Sequence, residues 1–369
     1  MTSKFYSELE ECLIEINKEV EILKYPKVVN LKEEKQKFLK EFPNRYEPIF
    51  KHDVYQGKRI NLEKLIKQLE KIKNYTNELD KVEKYLLKNK ANELILVCRL
   101  IDNIEKNPKI FSEMSKKLWR LPELSTLIKA LKILKKEYQI NRGEKIELEN
   151  AAKIFQNWAN KIGYKVIIDE KRKAFLISHS EKACFLPGLE KEISKERLKR
   201  WFHHEIEAHA YRALNGASQD YKIFRIGLAN YEKTEEGLAL FLEYKNGLFN
   251  TERLIQSTLT TIAVFLANNF SFYQTSLIIK KLNKNLPLDL IFDRVARVKR
   301  GIKETANKGV YSKDGIYFEG FLEVKKFCKN KENLKSLYYG KISLKDLWLI
   351  KELKLREPIY LPKPILPDY

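Results

Sequence analysis

Cysteine, glycine, proline and long apolar runs are all scarce in this sequence. The four cysteines stand far apart, at Cys12, Cys98, Cys184 and Cys328, and without CxxC spacing we expect reduced thiols in a reducing compartment. Only 13 glycines and 11 prolines occur among 369 residues, well below the roughly 12% of an average chain, which favours helix. No apolar run reaches the roughly 18 residues of a membrane-spanning helix. These absences predict a soluble, cytoplasmic and mostly helical protein.

Acidic residues are in the minority. The chain has 71 Lys and Arg against 50 Asp and Glu, a formal net charge of +21 at pH 7. Such a charge is typical of a protein with an acidic partner, which can be nucleic acid, an anionic membrane or an acidic polypeptide, but solvated lysine-rich helices produce it too. Arginine, which reads bases by bidentate contacts, is much rarer than lysine, and no zinc-finger, helix-turn-helix or RNP signature occurs. We therefore expect neither a nucleic-acid partner nor a membrane.

The first third of the chain has the periodicity of helices. Apolar residues recur every three or four positions in residues 5–20, 62–72, 94–104 and 124–134, which places one apolar stripe on each amphipathic helix. Stripes of this kind are typical of core packing, and no catalytic pattern accompanies them. The sequence predicts a helical N-terminal region over residues 1–138.

The pattern of the sequence changes after residue 138, where strand-like segments appear. Two strand-like segments, residues 164–169 and 173–178, flank a turn and predict a β-hairpin, to which residues 183–188 could add a strand. Helices are expected over residues 149–162, 194–214, 235 onward, 254–266 and 272–282. The last prolines predict an extended tail over residues 358–369. The predicted fold class is mostly α with a small β hairpin or sheet (α+β).

Three of the five histidines lie within seven residues, at His203, His204 and His209. The segment HEIEAH has the form HExxxH, whereas the commoner HExxH puts its imidazoles about 40° apart on one helical face, where Zn²⁺ can bridge them. Residues five apart lie about 140° apart on a regular helix, so a shared ion requires a widened turn such as a π-bulge. Chance produces such a segment in fewer than about 0.01 sequences of this length and composition. The segment therefore predicts a metal site on a locally widened helix.

A catalytic zinc site has three protein ligands and one open position for water. After the two histidines, the next candidates are Glu235 and Glu236 in the segment TEEGLA, for which Thr234 predicts a helix N-cap. We favour Glu236, because the small Ala239 three residues later would let two helices approach closely. Glu235 remains the alternative.

With His204, His209 and Glu236 as ligands, Glu205 is free to act as the general base that activates water at the metal. This donor set of two histidines and a glutamate is the one that peptidases use. His203 is then expected in a surface or supporting role.

Three motif blocks together resemble one protein family. They are HEIxxHxxR at residues 204–212, TEEGLA at residues 234–239, and RVKRG at residues 297–301 followed by YSKDGIYFEG at residues 311–320. They are similar to the tyrosine/phenylalanine carboxypeptidase family, which includes the microtubule-associated tyrosine carboxypeptidases that remove the C-terminal Tyr of α-tubulin, and bacterial proteins labelled by a QEGLA motif. The resemblance spans roughly residues 110–325.

The resemblance implies a zincin-like metallopeptidase core over residues 139–357 that uses one Zn²⁺ to remove a C-terminal aromatic residue. Such an enzyme holds the terminal carboxylate of its substrate, for which a bidentate Arg is suited, and the third block offers Arg297 and Arg300. Tyr317 is the candidate donor to the developing oxyanion. The partner would be a peptide or protein C-terminus, and an acidic tail such as that of tubulin would suit a chain with a charge of +21.

Two other interpretations stay open. The same zinc site could serve an endopeptidase or an aminopeptidase, since Glu207 and Glu235 could hold an α-ammonium group. Glu207 and Ala208 also depart from the family pattern, which has Gly and Thr there. Alternatively, the chain could be a basic helical binding or regulatory protein with a vestigial zinc site. The presence of Glu205 argues against this, because a site without activity has no use for a general base.

Overall fold

The computed structural model describes residues 4–20, 25–53, 60–138, 143–172, 174–179 and 181–362. Its N-terminal part consists of α1 (Lys4–Glu19), α2 (Leu31–Glu41), α3 (Leu62–Tyr75), α4 (Lys81–Asp102), α5 (Pro108–Trp119) and α6 (Leu124–Leu134). The predicted amphipathic stripes lie on α1, α3, α4 and α6, so those predictions are confirmed. Asp80 and Asn107 cap the N-termini of α4 and α5, where their side-chain oxygens accept backbone hydrogen bonds.

The second part of the chain adds two small sheets and further helices. In order they are β1 (Lys145–Glu147), α7 (Leu148–Ala159), β2 (Lys165–Asp169), β3 (Leu176–Ser178), β4 (Ala183–Pro187), β5 (Glu192–Ser194), α8 (Lys195–Trp201), a π-helix (Phe202–Ala210), α9 (Tyr211–Ala217), α10 (Ile223–Ile226), α11 (Glu232–Lys245), α12 (Thr251–Ala267), α13 (Phe272–Leu282), α14 (Leu288–Lys299), α15 (Ile316–Phe327), α16 (Asn333–Ser336) and α17 (Trp348–Glu352). The predicted class, mostly α with a small sheet, is confirmed. Among the described residues, no helix has the length and apolarity to cross a membrane.

Buried apolar side chains of the described residues form three clusters. One joins the N-terminal helices to α10 and includes Leu87 and Phe224, and another joins α2 to α15 and includes Phe38 and Phe318. The third lies between the sheet, the π-helix and α11, with Ile206 at its centre. The N-terminal helices therefore pack directly against the elements that carry the predicted site.

The predicted division of the chain stays a prediction. It separates a helical region over residues 1–138, a catalytic domain over residues 139–357 and a tail over residues 358–369. Parts of these predictions fall outside the described residues, namely residues 1–3, 21–24, 54–59, 139–142, 173, 180 and 363–369.

The three-stranded sheet differs from the predicted hairpin. β4 lies between β2 and β3, parallel to β2 and antiparallel to β3. The predicted pairing of residues 164–169 with residues 173–178 is therefore wrong, while the third strand at residues 183–188 is confirmed. β4 takes the centre because it is the most apolar of the three strands, with Cys184 and Leu186 fully buried, whereas β2 and β3 are partly exposed. A central strand has both edges paired and both faces covered.

Helix α11 begins at Glu232, three residues before the predicted start. Thr234 is not its N-cap, so that prediction is wrong. The Thr234 hydroxyl instead accepts a hydrogen bond from the backbone N–H of Leu344, 3.0 Å away. This contact ties the first turn of α11 to a distant segment that local sequence does not reveal.

The close approach of α11 and α15 depends on two glycines. A Cβ atom on Gly237 would lie 2.3 Å from the backbone carbonyl carbon of Gly320, and one on Gly320 would lie 2.1 Å from the carbonyl oxygen of Lys233. The prediction that Ala239 lets the two helices approach closely is therefore wrong. Ala239 is buried, but Gly237 makes the close contact. Because Gly237 follows Glu236, this packing determines where Glu236 lies.

Gly237→Ala should destabilise the protein, although alanine is normally better than glycine in a helix by about 1 kcal/mol. The added methyl group overlaps the α15 backbone, and overpacking of this kind costs about 1–3 kcal/mol. Denaturant unfolding measures the difference. Gly315→Ala is the control, because its Cβ would meet only side-chain atoms, at 3.2 Å or more. An unchanged or raised midpoint for Gly237→Ala would contradict this account of the helix pair.

Candidate active site

The π-helix brings the two predicted histidine ligands together. Helix α8, the π-helix and α9 form one continuous helical segment, in which the ring centroids of His204 and His209 lie 5.0 Å apart with an interplanar angle of 75°. The wider turn of a π-helix places residues five apart on the same side, which a regular α-helix does not. The widened turn that the HExxxH spacing predicts is present. The segment continues to Ala217 rather than ending near Leu214.

Glu236 of α11 faces both imidazoles. Its Oε2 lies 3.6 Å from Nε2 of His204 and 3.8 Å from Nε2 of His209. This oxygen is buried and has no hydrogen-bond partner among the described residues. Buried polar atoms are almost always paired, so an orphaned carboxylate oxygen between two imidazole nitrogens requires another partner.

These three side chains can hold a metal ion. Their ligand atoms all lie within 4.8 Å of one another, and no other cluster of this kind occurs in the part of the chain that the structure describes. Tetrahedral zinc ligands at about 2.0–2.2 Å from the ion lie roughly 3.4 Å from each other. Two imidazoles and one carboxylate are also ligand types that zinc takes. The residues present therefore fit one zinc ion.

A buried carboxylate orients each histidine through a hydrogen bond with its Nδ1 atom. Nδ1 of His204 donates to Oε1 of Glu243 at 2.8 Å, and Arg253 donates to the same carboxylate from Nε at 3.0 Å. Burial raises the pKa of Glu243, but Arg253 and His204 outweigh it and lower the pKa to about 2. The contact of Nδ1 with Glu243 leaves Nε2 of His204 facing Glu236.

His209 has the same arrangement with Glu235. Nδ1 of His209 donates to Oε1 of Glu235 at 2.9 Å, and the buried Arg212 and Lys341 pair with the same carboxylate. Burial opposes ionisation, yet these cations hold the pKa of Glu235 well below its usual range. Glu235 therefore contacts Nδ1 of His209, while Glu236 faces Nε2 of both rings. The geometry separates the two glutamates that the sequence left as alternatives.

The surroundings of His204 favour a positive charge. Burial lowers the pKa of this imidazole, but its contacts with Glu236 and Glu243 raise it to about 10 in the metal-free protein. The carboxylates thus create a negative potential at the cluster. A divalent cation satisfies this potential in place of the proton.

Glu205 lies beside the cluster, towards the sheet. Its side chain is partly exposed and makes no hydrogen bond or ion pair within the described residues. Burial raises the pKa of Cys184 on β4 to about 12, and the charge of Glu205 adds to this effect, so the two side chains are close.

His203 and Glu207 form a pair away from the cluster. His203 is 2% exposed, so of its two expected roles the surface one is wrong and the supporting one stays a prediction. Its Nδ1 lies 2.7 Å from Oε2 of Glu207. Glu207 is the residue that departs from the Gly of the family pattern. Its carboxylate is engaged by His203 and is not one of the clustered ligand groups.

A cavity of about 210 Å³ opens beside His204 and has a cationic wall. Three arginines line it, Arg253 of α12 and Arg294 and Arg297 of α14, together with one acid, Asp314, and with Tyr317 of α15. Burial raises the pKa of Tyr317 well above its ordinary value, and the nearby Glu236 raises it further. The cavity therefore adjoins the metal cluster and offers donors to an anion.

The predicted arginines differ in position. Arg297 lines the cavity, where Nε and Nη2 donate to Asp314 at 3.0 and 2.9 Å. Arg300 does not line it: this side chain stacks on the ring of Tyr311 at 4.4 Å and donates to the same Asp314.

Sequence reasoning missed Arg294. Its Nη2 donates to Gln256 at 3.0 Å, while its buried Nε has no partner within the described residues. Burial and the charges of Arg297 and Arg253 lower the pKa of Arg294 to about 10. The sequence feature that could have identified Arg294 is its position three residues before Arg297, on the same helical face.

Comparisons with known proteins agree on one family. The model of the microtubule-associated tyrosine carboxypeptidase family matches residues 36–368. The "Putative tyrosine carboxypeptidase MATCAP2" of Mus musculus is 30% identical over 185 residues, which are 48% of this chain and 34% of the relative. The protein of that name from Homo sapiens is 27% identical over 185 residues, again 48% of this chain and 34% of the relative. The human "Microtubule-associated tyrosine carboxypeptidase 1" is 26% identical over 155 residues, 41% of this chain and 32% of the relative. The matched part spans about a third of these relatives' length.

Proposed function

Because the chain belongs to the microtubule-associated tyrosine carboxypeptidase family, we propose that it is a zinc-dependent carboxypeptidase that removes a C-terminal Tyr or Phe. The family resemblance is confirmed, and it extends over residues 36–368 rather than the expected 110–325. The observation that carries the proposal is the buried, unpaired Oε2 of Glu236, which lies between Nε2 of His204 and Nε2 of His209.

The proposed zinc ligands are His204, His209 and Glu236. When bound, zinc would polarise the scissile carbonyl and make water more acidic. Glu243 and Glu235 hold the two imidazoles in orientation through Nδ1. Such supporting carboxylates raise the basicity of the ligands and fix their geometry.

Glu205 supplies the proton transfers. As general base it takes a proton from the attacking water, and as general acid it returns that proton to the leaving amine nitrogen. Its lack of a hydrogen bond or ion pair within the described residues supports this role, because a carboxylate engaged in an ion pair is a weaker base.

Arg294 is the best anchor for the substrate's terminal carboxylate. Arg297 and Arg253 already donate to Asp314 and Glu243, whereas the buried Nε of Arg294 has no partner among the described residues. A carboxylate in the cavity would accept from it and offset the repulsion among the three arginines. The expected binding role thus moves from Arg297 to Arg294, with Arg297 as a neighbour and Arg300 outside the cavity.

An aminopeptidase fits the site less well. The two glutamates suggested for an α-ammonium group are both engaged, Glu207 with His203 and Glu235 with His209 and Arg212. The cavity beside the cluster is cationic and would repel an ammonium group.

An acidic protein tail is the proposed macromolecular substrate. The net charge of +21 favours an acidic partner, and one human relative is named a microtubule-associated tyrosine carboxypeptidase. A cytoplasmic location remains a prediction, as does the single Zn²⁺.

Amidation of a peptide's C-terminus should abolish its cleavage, because the amide removes the charge that the arginine-lined cavity would bind. A library of peptides with free and amidated C-termini, incubated with the zinc-loaded protein and analysed by mass spectrometry, measures this. Release of Tyr or Phe from free termini is expected. Cleavage of amidated peptides at internal bonds would contradict the carboxypeptidase proposal and favour an endopeptidase.

Arg294→Met tests the anchor in the same assay. A lost charge-assisted hydrogen bond is worth about 1.5–3 kcal/mol, so kcat/KM should fall by about 10- to 150-fold, mainly through KM. Arg300→Met is the matched control, because Arg300 donates to Asp314 but does not line the cavity. Equal losses in both variants would show that Arg294 has no special part in binding.

A further inference from the structure

Two residues that line the cavity beside His204 have a buried polar atom without a partner. They are Arg294 and Ser257, and the cavity that they line measures about 210 Å³. Nε of Arg294 and Oγ of Ser257 are both buried, and neither has a hydrogen-bond partner among the described residues. Because buried polar atoms in folded proteins are almost always paired, two orphaned atoms at one cavity indicate a ligand that pairs with both.

Ser257 belongs to a polar stripe on α12. The residues of this stripe all line the cavity, and they are Arg253, Gln256, Ser257 and Thr260. Their spacing of three and four positions places them on one face of the helix. Ser257 lies one turn, about 6 Å, after Arg253 along the helix axis. Another face of α12 packs into the apolar core through Ile255, so the polar stripe forms a wall of the cavity.

The other side chains of this stripe already have partners. Nε of Arg253 donates to a carboxylate of α11 at 3.0 Å. Oε1 of Gln256 accepts a hydrogen bond from Nη2 of Arg294 at 3.0 Å. The hydroxyl of Thr260 donates to the backbone carbonyl of Gln256, also at 3.0 Å. Within this stripe, the buried side-chain atom that has no partner in the described part of the chain is therefore the hydroxyl of Ser257.

The charges at the cavity leave one cation without a counter-ion. Arg297 forms an ion pair with Asp314, and Arg253 forms one with Glu243. The third arginine, Arg294, donates to an amide oxygen and has no ion pair within the described residues. The cavity can therefore neutralise one carboxylate. A second acidic group would meet only arginines whose charge is already paired, so an acidic side chain is not the expected companion of that carboxylate.

We propose that Ser257 is a specificity-determining residue, whose hydroxyl forms a hydrogen bond with the phenolic hydroxyl of a C-terminal tyrosine. The inference rests on the proposed carboxypeptidase function and separates its two expected substrates. A C-terminal tyrosine offers a carboxylate to Nε of Arg294 and a hydroxyl to Oγ of Ser257, the two unpaired atoms. Serine and phenol hydroxyls can each donate and accept, so either direction is possible. A C-terminal phenylalanine pairs with Arg294 but leaves Ser257 without a partner.

The remaining surface of the cavity suits an aromatic ring. Leu240 and Tyr317 also line it, and guanidinium groups such as that of Arg297 pack well against aromatic faces. A site that hydrogen-bonds a substrate hydroxyl discriminates against the analogue without it, because the polar group of the site is then left unpaired. The cost of one unpaired buried group corresponds to about 5- to 150-fold in kcat/KM. Tyr should therefore be preferred over Phe by about this factor.

Ser257→Ala tests this assignment with two peptides that differ only in a C-terminal Tyr or Phe. The zinc-loaded protein should favour the Tyr peptide, and Ser257→Ala should remove most of the Tyr/Phe ratio of kcat/KM. Thr258→Val is the matched control: Thr258 is the next residue on α12 and is buried, but it does not line the cavity, so its loss should leave the ratio unchanged. A ratio near one in the unsubstituted protein, or an unchanged ratio in Ser257→Ala, would overturn the inference.

The unfolding midpoint shows whether Ser257 has a purely structural part. Alanine favours helix more than serine does, and the substitution removes a buried hydroxyl that has no partner. The midpoint of Ser257→Ala should therefore not fall. A lowered midpoint together with an unchanged Tyr/Phe ratio would show that Ser257 supports the fold and does not select the substrate.

A binding measurement separates this inference from the proposed function. Phloretic acid and hydrocinnamic acid are tyrosine and phenylalanine without the amino group, so calorimetry with the zinc-loaded protein reports recognition without turnover. Phloretic acid should bind more tightly by about 5- to 150-fold, and Ser257→Ala should remove this difference. If the difference is present but no peptide with a free C-terminus is cleaved, the carboxypeptidase proposal is wrong and the recognition by Ser257 stands. Equal affinities for the two acids would overturn the role of Ser257, whatever the activity of the protein.

Discussion

Glu205→Gln should retain zinc and lose about 10²–10⁴ of the turnover. The substitution preserves the size of the side chain and removes its basicity, and general acid–base catalysis typically contributes that factor. Glu205 is not among the proposed ligands, and its carboxylate makes no hydrogen bond or ion pair within the described residues, so neither the metal nor the fold should depend on it. Release of Tyr from a short peptide, together with zinc analysis, measures both quantities.

The comparison with Glu236 makes this test decisive. If Glu205→Gln loses its zinc while Glu236→Gln keeps both metal and activity, the roles of base and ligand have been assigned to the wrong residues. Glu207 and Glu235 would then be the carboxylates to test. Retained turnover in Glu205→Gln would exclude it as the base.

Glu236→Gln should lose the metal rather than only the rate. The substitution removes an anion that faces both imidazoles, and ligand loss should weaken zinc binding by more than the roughly 10- to 100-fold that supporting residues contribute. Competition with a chelator of known affinity measures the change. The gain in unfolding midpoint on zinc addition, which follows from preferential binding to the folded state, should also shrink.

Glu243→Gln provides the matched control for this prediction. Glu243 donates no ligand atom but accepts the Nδ1 hydrogen bond of His204, so its loss should weaken zinc binding by about 10- to 100-fold. A larger loss for Glu243→Gln than for Glu236→Gln would contradict the assignment of Glu236 as ligand.

Features that are set by short spacing could be predicted from the sequence alone. Residues five apart cannot share an ion on a regular helix, so the HExxxH spacing alone predicts a widened turn, and a π-helix is found over Phe202–Ala210. The amphipathic stripes predicted α1, α3, α4 and α6 for the same reason. The motif blocks were sufficient for the family, which the match over residues 36–368 confirms. Local backbone geometry and side-chain periodicity are encoded within about one or two helical turns.

Features that depend on partners distant in the chain could be read from the folded structure but not from the sequence. Glu235 and Glu236 are neighbours in sequence, yet they have different partners. Arg212 and Lys341 form ion pairs with Glu235. Glu236 instead faces the Nε2 atoms of the histidines. β4 displaced the predicted hairpin because the most apolar strand is buried at the centre of the sheet.

The same reason explains the residues that sequence reasoning missed or misjudged. Gly237 matters because of Gly320, and Arg294 because α12, α14 and α15 enclose one cavity. Contacts between residues far apart in the chain are selected by burial, charge and shape, and no fixed spacing in the sequence records them.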